Sequence, residues 1–254
     1  MARYIIDIIL LSYNDIKITT AIDSIINNDP DLLTRIVVID GLSNDSVKLL
    51  IERKLRNHDV LVYERDNGIF DALNKGLVFS DAPYIGWLGS DDYFTADIDF
   101  EFITECLSEY DLYIGRLYYV NQGHISRSVE TWPCKHGLIR MGLNNPHFAT
   151  FGKASLLKKF KFDLSLRGAD IKYFIDIFSL NPRCYFDDSV IVHMSEGGFS
   201  NGSLRGVIKT NVQLLKVYGY KIGIFVLIFK LSFKVANRFL WRLKKLLNFR
   251  ESRV

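Results

Sequence analysis

Apolar residues in the first part of the chain follow two alternating rhythms. Runs at 4–11, 35–39, 60–63 and 84–88 are short, rich in β-branched and aromatic residues, and closed by Gly, Ser, Asn or Asp. Such runs predict buried strands. Between them the apolar positions recur at steps of three and four. Ile18, Ala21, Ile22, Ile25 and Ile26 mark a helix over 17–27, stopped by Asn28-Asp29-Pro30. Further helices are predicted over 46–56, after a polar cluster suited to N-capping, and over 69–79. Strands alternating with helices at this spacing predict an α/β fold with a mostly parallel sheet and right-handed crossovers.

Each predicted strand ends in a polar loop. Ser12-Tyr13-Asn14-Asp15 follows the first, Asp40-Gly41-Leu42-Ser43-Asn44-Asp45 the second, and Glu64-Arg65-Asp66-Asn67-Gly68 the third. The fourth run stops abruptly at Gly89-Ser90-Asp91-Asp92. A lone Asp or Asn there is an ordinary turn former. Four successive strands doing the same predicts one crevice holding Asn14, Asp40, Asp66, Asp91 and Asp92, because ligands bind beyond the carboxyl ends of such strands. Adjacent carboxylates repel and are costly to bury unpaired. A hard divalent cation, Mn²⁺ or Mg²⁺, removes that cost, and Mg²⁺ commonly takes one or two carboxylates plus substrate phosphates. A solvated acidic turn capping the next helix is the plainer alternative.

Beyond Thr95 the pattern loosens. Residues 111–120 and 124–130 read as two strands joined by a hairpin turn at Asn121-Gln122-Gly123, and 184–194 as another strand. A helix is expected to run to Leu180, with Asp170 at its start as a possible N-cap. Composition adds little to this picture. The 254 residues are 48% hydrophobic and 24% charged, ordinary for a globular protein with a sizeable core, and the formal net charge is only +3. The three cysteines, Cys106, Cys134 and Cys184, are far apart and without CxxC spacing, which argues against a disulfide framework or a zinc site. Asp7 interrupts the apolar N-terminal run, and no small-residue cleavage site follows, so a signal peptide is not expected and a cytoplasmic location is.

The ordered set of motifs resembles the family 2 inverting glycosyltransferases of the GT-A (Rossmann-like) fold. Ser12-Tyr13-Asn14, Val38-Ile39-Asp40-Gly41-Leu42-Ser43-Asn44-Asp45, Glu64 through Gly76, and Gly89-Ser90-Asp91-Asp92 carry the likeness over roughly the first 95 residues. The resemblance implies a nucleotide-sugar donor, with a UDP-sugar expected. Asp40 and Asp66 would hold ribose and base, with Ser12, Tyr13, Asn14 and Asn74 nearby. Lys75 would face phosphate or lie on the solvated surface. Asp92, helped by Asp91, would ligate the metal on the diphosphate. Where many relatives have Asp-x-Asp, this chain has Ser90-Asp91-Asp92, so one carboxylate of the pair is displaced.

The same resemblance extends into the second half. Phe162 to Asp170 is similar to the family segment ending in the catalytic base, which points to Asp170; Ile171-Lys172-Tyr173 departs from the usual aromatic–acidic pair, and Asp176 is a weaker candidate. Inversion needs a base within reach of the acceptor hydroxyl. His147 lies in a segment that resembles one lining the acceptor side, and His193 is a candidate for metal or phosphate contact. Trp132 is a candidate for sugar stacking, and Gly197-Gly198 for a loop close to ligand.

Past residue 203 the character changes. Lys230, Lys234, Arg238, Arg242 and Lys245 recur at about one-turn spacing opposite Phe233, Phe239, Leu240, Trp241, Leu243, Leu246 and Leu247. A basic face opposite an aromatic–aliphatic one marks a helix lying in a membrane interface; packing on the domain or a homodimer contact is the alternative. The chain therefore divides into a GT-A domain at 1–203, with a donor half at 1–95 and an acceptor half at 96–203, and a tail of basic amphipathic helices at 204–254. The expected activity is metal-dependent hexosyl or N-acetylhexosaminyl transfer to a glycan or lipid-linked acceptor in bacterial surface polysaccharide synthesis (O-antigen or capsule), at the inner face of the cell membrane. A nucleotidyltransferase would want a Gly-rich basic loop after the first strand, which Ser12-Tyr13-Asn14-Asp15 is not. A non-catalytic membrane-surface scaffold would have no use for Asp92 and Asp170, and a nucleic-acid partner would leave the tail's apolar face unexplained.

Overall fold

A computed structural model of the chain describes residues 4–121, 124–129 and 146–195, together with Ile228 and Ser232. The hairpin residues Gln122 and Gly123, Trp132, the Gly197-Gly198 loop and the basic tail lie outside these residues, apart from those two single positions. The first half is the expected alternation: β1 (Ile6–Ser12), α1 (Ile18–Asn27), β2 (Thr34–Asp40), α2 (Asp45–Lys54), β3 (Val60–Tyr63), α3 (Ile69–Phe79) and β4 (Tyr84–Gly89). The second half adds β5 (Tyr93–Phe94), α4 (Phe100–Glu109), β6 (Leu112–Asn121), β7 (His124–Val129), β8 (Thr150–Lys153), α5 (Ala154–Leu157), α6 (Ala169–Ser179) and β9 (Cys184–Ser195).

All nine strands join one sheet in the order β3-β2-β1-β4-β8-β6-β9-β5, with β7 pairing β6 beyond β8. The β3-β2-β1-β4 half is parallel throughout. The other half is mixed: β8 runs antiparallel to both β4 and β6, β7 to β6 and β5 to β9, while β6 and β9 are parallel. The mostly parallel sheet expected from the first hundred residues is therefore a mixed one: past the strand–helix alternation, β5, β7 and β8 join it as antiparallel strands. The chain runs outward from β1 to β3 and then returns to place β4 on the other side of β1. That reversal opens the crevice at the carboxyl ends of β1 and β4.

Two cores cover the two faces. On one, Ile18, Ala21, Ile22 and Ile25 of α1 and Ile103 and Leu107 of α4 pack against Ile6, Ile8, Leu10, Tyr113, Leu117 and Val192. On the other, Leu73 and Leu77 of α3 and Tyr173, Phe174 and Ile177 of α6 pack against Ile9, Trp87, Leu112 and Ile114. The apolar stripe, rather than helix propensity, holds α1 in place, since the segment is rich in β-branched residues. α2 has the expected cap: the Asn44 side chain accepts from the Val47 amide, and Asp45 at the start and Arg53 and Lys54 at the end suit the helix dipole.

At the end of the sheet away from the crevice, Asp7 is fully buried and pairs with the guanidinium of Arg35 at 2.7 and 2.8 Å. The same carboxylate accepts from the Asp81 and Ala82 amides, so both of its oxygens are hydrogen-bonded and β1, β2 and the entry to β4 are tied together. The polar residue that interrupts the first apolar run is thus a structural one. Among the described residues no helix is long and apolar enough to cross a membrane.

Packing between α3 and β1 leaves no room for a methyl group at Gly76. A Cβ there would lie 2.3 Å from Cγ2 of the buried Ile9. Alanine in a helix is favoured over glycine by about 1 kcal/mol, whereas overpacking a closed core costs about 1–3 kcal/mol. Gly76→Ala is accordingly expected to lower the urea midpoint, and a raised midpoint would show that the α3–β1 contact is looser than described.

Candidate active site

The crevice is built from four strand ends. At the end of β1, Asn14 stands in the left-handed region at φ 51°. Its backbone amide donates to Ser43 Oγ at 2.7 Å, and its side-chain oxygen accepts from the Asn44 amide at 2.8 Å. At the end of β2, the fully buried Asp40 accepts from both the amide and the hydroxyl of Ser43, each at 2.7 Å. Tyr63, closing β3, donates its hydroxyl to the Ser43 carbonyl. Ser43 therefore locks three strand ends together, a role the sequence does not advertise because serine is common in such turns. Asp40 and Asn14 spend these groups on the loop itself.

Gly41 brings the third strand end in. A Cβ at this position would lie 2.5 Å from an Asp66 carboxylate oxygen and 3.3 Å from the Tyr13 ring, so only glycine lets Asp66 fold over the β2 loop beside Tyr13. Asp66 also accepts from the Gly68 amide, and Gly68, at φ 103°, starts α3. Tyr13 is 67% exposed. The result is an open slot with an aromatic ring on one wall and a carboxylate on the floor, suited to a base and its ribose. Ser12 lies beneath, its Oγ buried and without a partner among the described residues.

The acidic end lies across the β1–β4 switch. Ser90 donates to Asp15 at 2.9 Å, joining the two strand ends. Gly89 again clears space: a Cβ there would sit 2.7 Å from an Asp92 oxygen and 3.5 Å from one of Asp91. Asp92 is only 3% exposed, and its Oδ1 accepts from the Ser195 amide at 2.9 Å. Burial, reinforced by the neighbouring charge of Asp91, pushes its carboxyl up to about 7. Asp91 is also raised, first by burial and then by Asp15. Lys17 lowers both, yet among the described residues no basic side chain forms an ion pair with either. Ser195, at the end of β9, donates its hydroxyl to the Asp91 carbonyl and so anchors the pair from the far half of the sheet.

Other expected site residues are placed differently. Asn74 clips α3 to the segment before α6: its amide nitrogen donates to the Phe162 carbonyl and its oxygen accepts from the Phe162 amide. Lys75 donates to the Arg65 carbonyl and pairs with Glu64 at 2.9 Å, so it fastens the β3 loop rather than standing free for phosphate. His147 keeps some exposure as a residue, but its ring packs among Trp87, Phe148, Phe162 and Phe174, with Nε2 buried and without a partner among the described residues. Burial holds it down to about 3, so it stays neutral. It is a core histidine beneath β4, not a wall of the acceptor side. His193 does not join Asp91 and Asp92 in a metal cluster: among the described residues no group of three or more His, Cys, Asp or Glu is arranged to hold a metal ion. Its Nδ1 lies 3.1 Å from the Tyr93 hydroxyl instead. Asp170 is partly exposed in the first turn of α6, and the N-cap is Gly168 rather than Asp170. Asp176 pairs with Lys172 one turn back.

Residues 7–164, more than half of the chain, match the profile of Glycosyl transferase family 2. The chain belongs to that family. Solved structures agree on the fold. S. aureus TarS 1-349 superposes with a TM-score of 0.61 at 21% identity, covering 83% of this chain and 65% of that one. TarS 1-349 in complex with UDP-GlcNAc gives 0.62 at 19% identity, with 83% and 66% covered. The mannosyltransferase PcManGT from Pyrobaculum calidifontis, in complex with GDP-Man and Mn2+, gives 0.60 at 18%, with 87% and 65% covered. The chain thus spans just under two thirds of the length of these proteins, and identities this low carry the GT-A fold alone. No curated protein matches the chain.

Asp92 supplies a direct test of the site's electrostatics. Folding raises this carboxyl above its unfolded value, so its contribution to stability is fully present below the unfolded pKa and is lost as pH rises through about 7. With chelator present, Asp92→Asn is expected to melt higher than the natural protein at pH 8 and to lose most of that advantage by pH 5. A variant that melts lower at pH 8, with no pH dependence, would show that the carboxylate is stabilised by contacts other than those described.

Proposed function

We propose that the protein transfers a sugar from a nucleoside diphosphate sugar to an acceptor hydroxyl with inversion. The observation that carries this reading is the buried carboxylate Asp92, seated beside Asp91 where the sheet reverses, with no ion-pair partner among the described residues. Such a site suits Mn²⁺ or Mg²⁺, and Asp91 and Asp92 are the residues that would hold it. Two carboxylates are enough when the diphosphate and water complete the shell. Bound there, the cation would stabilise charge on the leaving diphosphate.

This chain's own residues divide the remaining work. Tyr13 and Asp66 line the slot for base and ribose. Asp40 acts one step back, holding Ser43 and through it the loop against which the nucleoside lies. Asp170, on the helix that covers the same sheet face as α3, is the residue we assign as the base that takes the proton from the acceptor hydroxyl. A lipid-linked glycan is the acceptor we favour, with a bacterial surface polysaccharide as the setting. The basic and aromatic residues of 204–254 support this, since they would hold the enzyme on the cytoplasmic face of the membrane where such acceptors lie.

Donor turnover tests the reading. The protein is incubated with Mn²⁺ and a panel of UDP- and GDP-sugars, and nucleotide release is followed together with the anomer of the freed sugar before it mutarotates. One donor is expected to be hydrolysed slowly with inversion, and Asp170→Asn to slow this by about 10²–10⁴-fold. No release from any donor, or release with retention, would contradict the proposal.

A further inference from the structure

Three aromatic side chains lie in one row across the acceptor half of the sheet. Tyr93 of β5 is paired with His193 of β9, and His193 with Tyr118 of β6, so register sets them side by side. The Tyr118 and His193 rings are nearly parallel, at 12° with centroids 6.3 Å apart. Tyr93 meets His193 edge-on at 89° and 5.1 Å, and their polar atoms are 3.1 Å apart. The row is thus internally braced, and each of its members is partly exposed.

Strand alternation fixes which way the row faces. The neighbouring residues Phe94, Val192, Leu117, Met194 and Tyr119 pack into the core under α1 and α4. Tyr93, His193 and Tyr118 therefore point to the opposite face, and they belong to neither core cluster. That opposite face is the one covered further along by α6, the helix that carries Asp170. The row also touches the acidic end at both sides in sequence. Tyr93 follows Asp92 directly, and Ser195, two residues beyond His193, binds Asp92 and the Asp91 carbonyl.

A partly exposed aromatic row, continuous with the acidic pair and on the face of the candidate base, suits a flat ligand with both C–H and hydroxyl groups. We propose that Tyr93, His193 and Tyr118 form a stacking platform for a sugar ring of the acceptor. The inference rests on the transferase reading and adds to it where the acceptor lies. Apolar C–H faces of a pyranose meet the negative faces of the rings, while the hydroxyls around its rim meet the Tyr hydroxyls and the imidazole. The nucleobase is assigned above to Tyr13, which lies beside Gly41 at the end of β2.

Saturation-transfer NMR with a panel of methyl pyranosides tests this on the full chain, with and without UDP, GDP and Mn²⁺. At least one glycoside is expected to receive saturation on the protons of one ring face. Tyr118→Phe is expected to keep that binding, and Tyr118→Leu to weaken it about tenfold, the scale of one lost ring contact. Melting temperature and nucleotide affinity, measured on the same variants, separate this effect from a failure to fold. Glycoside binding that Tyr118→Leu leaves unchanged, or no glycoside signal from folded protein, overturns the platform. A protein that binds a glycoside through Tyr118 but binds no nucleotide keeps the platform as a carbohydrate site and removes the transferase reading instead.

Discussion

A carboxyl buried at the β4–β5 junction, with no ion-pair partner among the described residues, is the constraint around which this fold is arranged. Asp92 is almost wholly removed from water, and Asp91 stands beside it. Desolvating a carboxylate is expensive unless it is paired or protonated. At the opposite end of the sheet the same problem is solved inside the chain: Asp7 receives the Arg35 guanidinium and two amides. At the Asp92 end the described chain offers the carboxylate backbone donors such as the Ser195 amide, and burial pushes the carboxyl up to about 7. One acidic site is closed within the chain, and the other is where we propose that a cation binds.

The backbone around the open site is shaped to keep it so. Gly41 and Gly89 stand at equivalent places after β2 and at the end of β4, and at each the missing Cβ is replaced by a carboxylate. Ser43 and Ser195 serve as locks, one joining the ends of β1, β2 and β3, the other fastening the end of β9 to the acidic pair. The first and second halves of the sheet therefore meet through Ser195 at Asp92. A change at the acidic pair would be felt in both halves, because β9 carries both Ser195 and the His193 of the aromatic row.

Much of the donor half is legible in the sequence because its signals are local. Strand runs, helical spacing and the closing polar loops all lie within a few residues of one another, and β1 through β4 follow them to within two residues at either end. The acceptor half is less so. β8 and α5 are only four residues long and β5 only two, too short for a period to show, whereas α4 does carry a helical spacing at Phe100, Ile103, Cys106 and Leu107. Individual side chains are the hardest to read. Asn74 looks like a site residue in its motif, but its partner is Phe162, brought from far along the chain. His147 has the chemistry of a ligand and the surroundings of a core residue, since Trp87 and Phe162 close over it. His193 stands out in the sequence only as a candidate ligand, and strand register alone reveals Tyr93 and Tyr118 as its neighbours.

The central claim is that Asp91 and Asp92 accept a cation together with a nucleoside diphosphate. Isothermal calorimetry of UDP, GDP and other nucleoside diphosphates, each with Mn²⁺ and with chelator, addresses it most directly. The account requires one nucleotide to bind in the presence of Mn²⁺, to bind at least tenfold more weakly with chelator, and to lose the metal effect in Asp92→Ala. Binding of the same strength with and without metal, in both proteins, would contradict it.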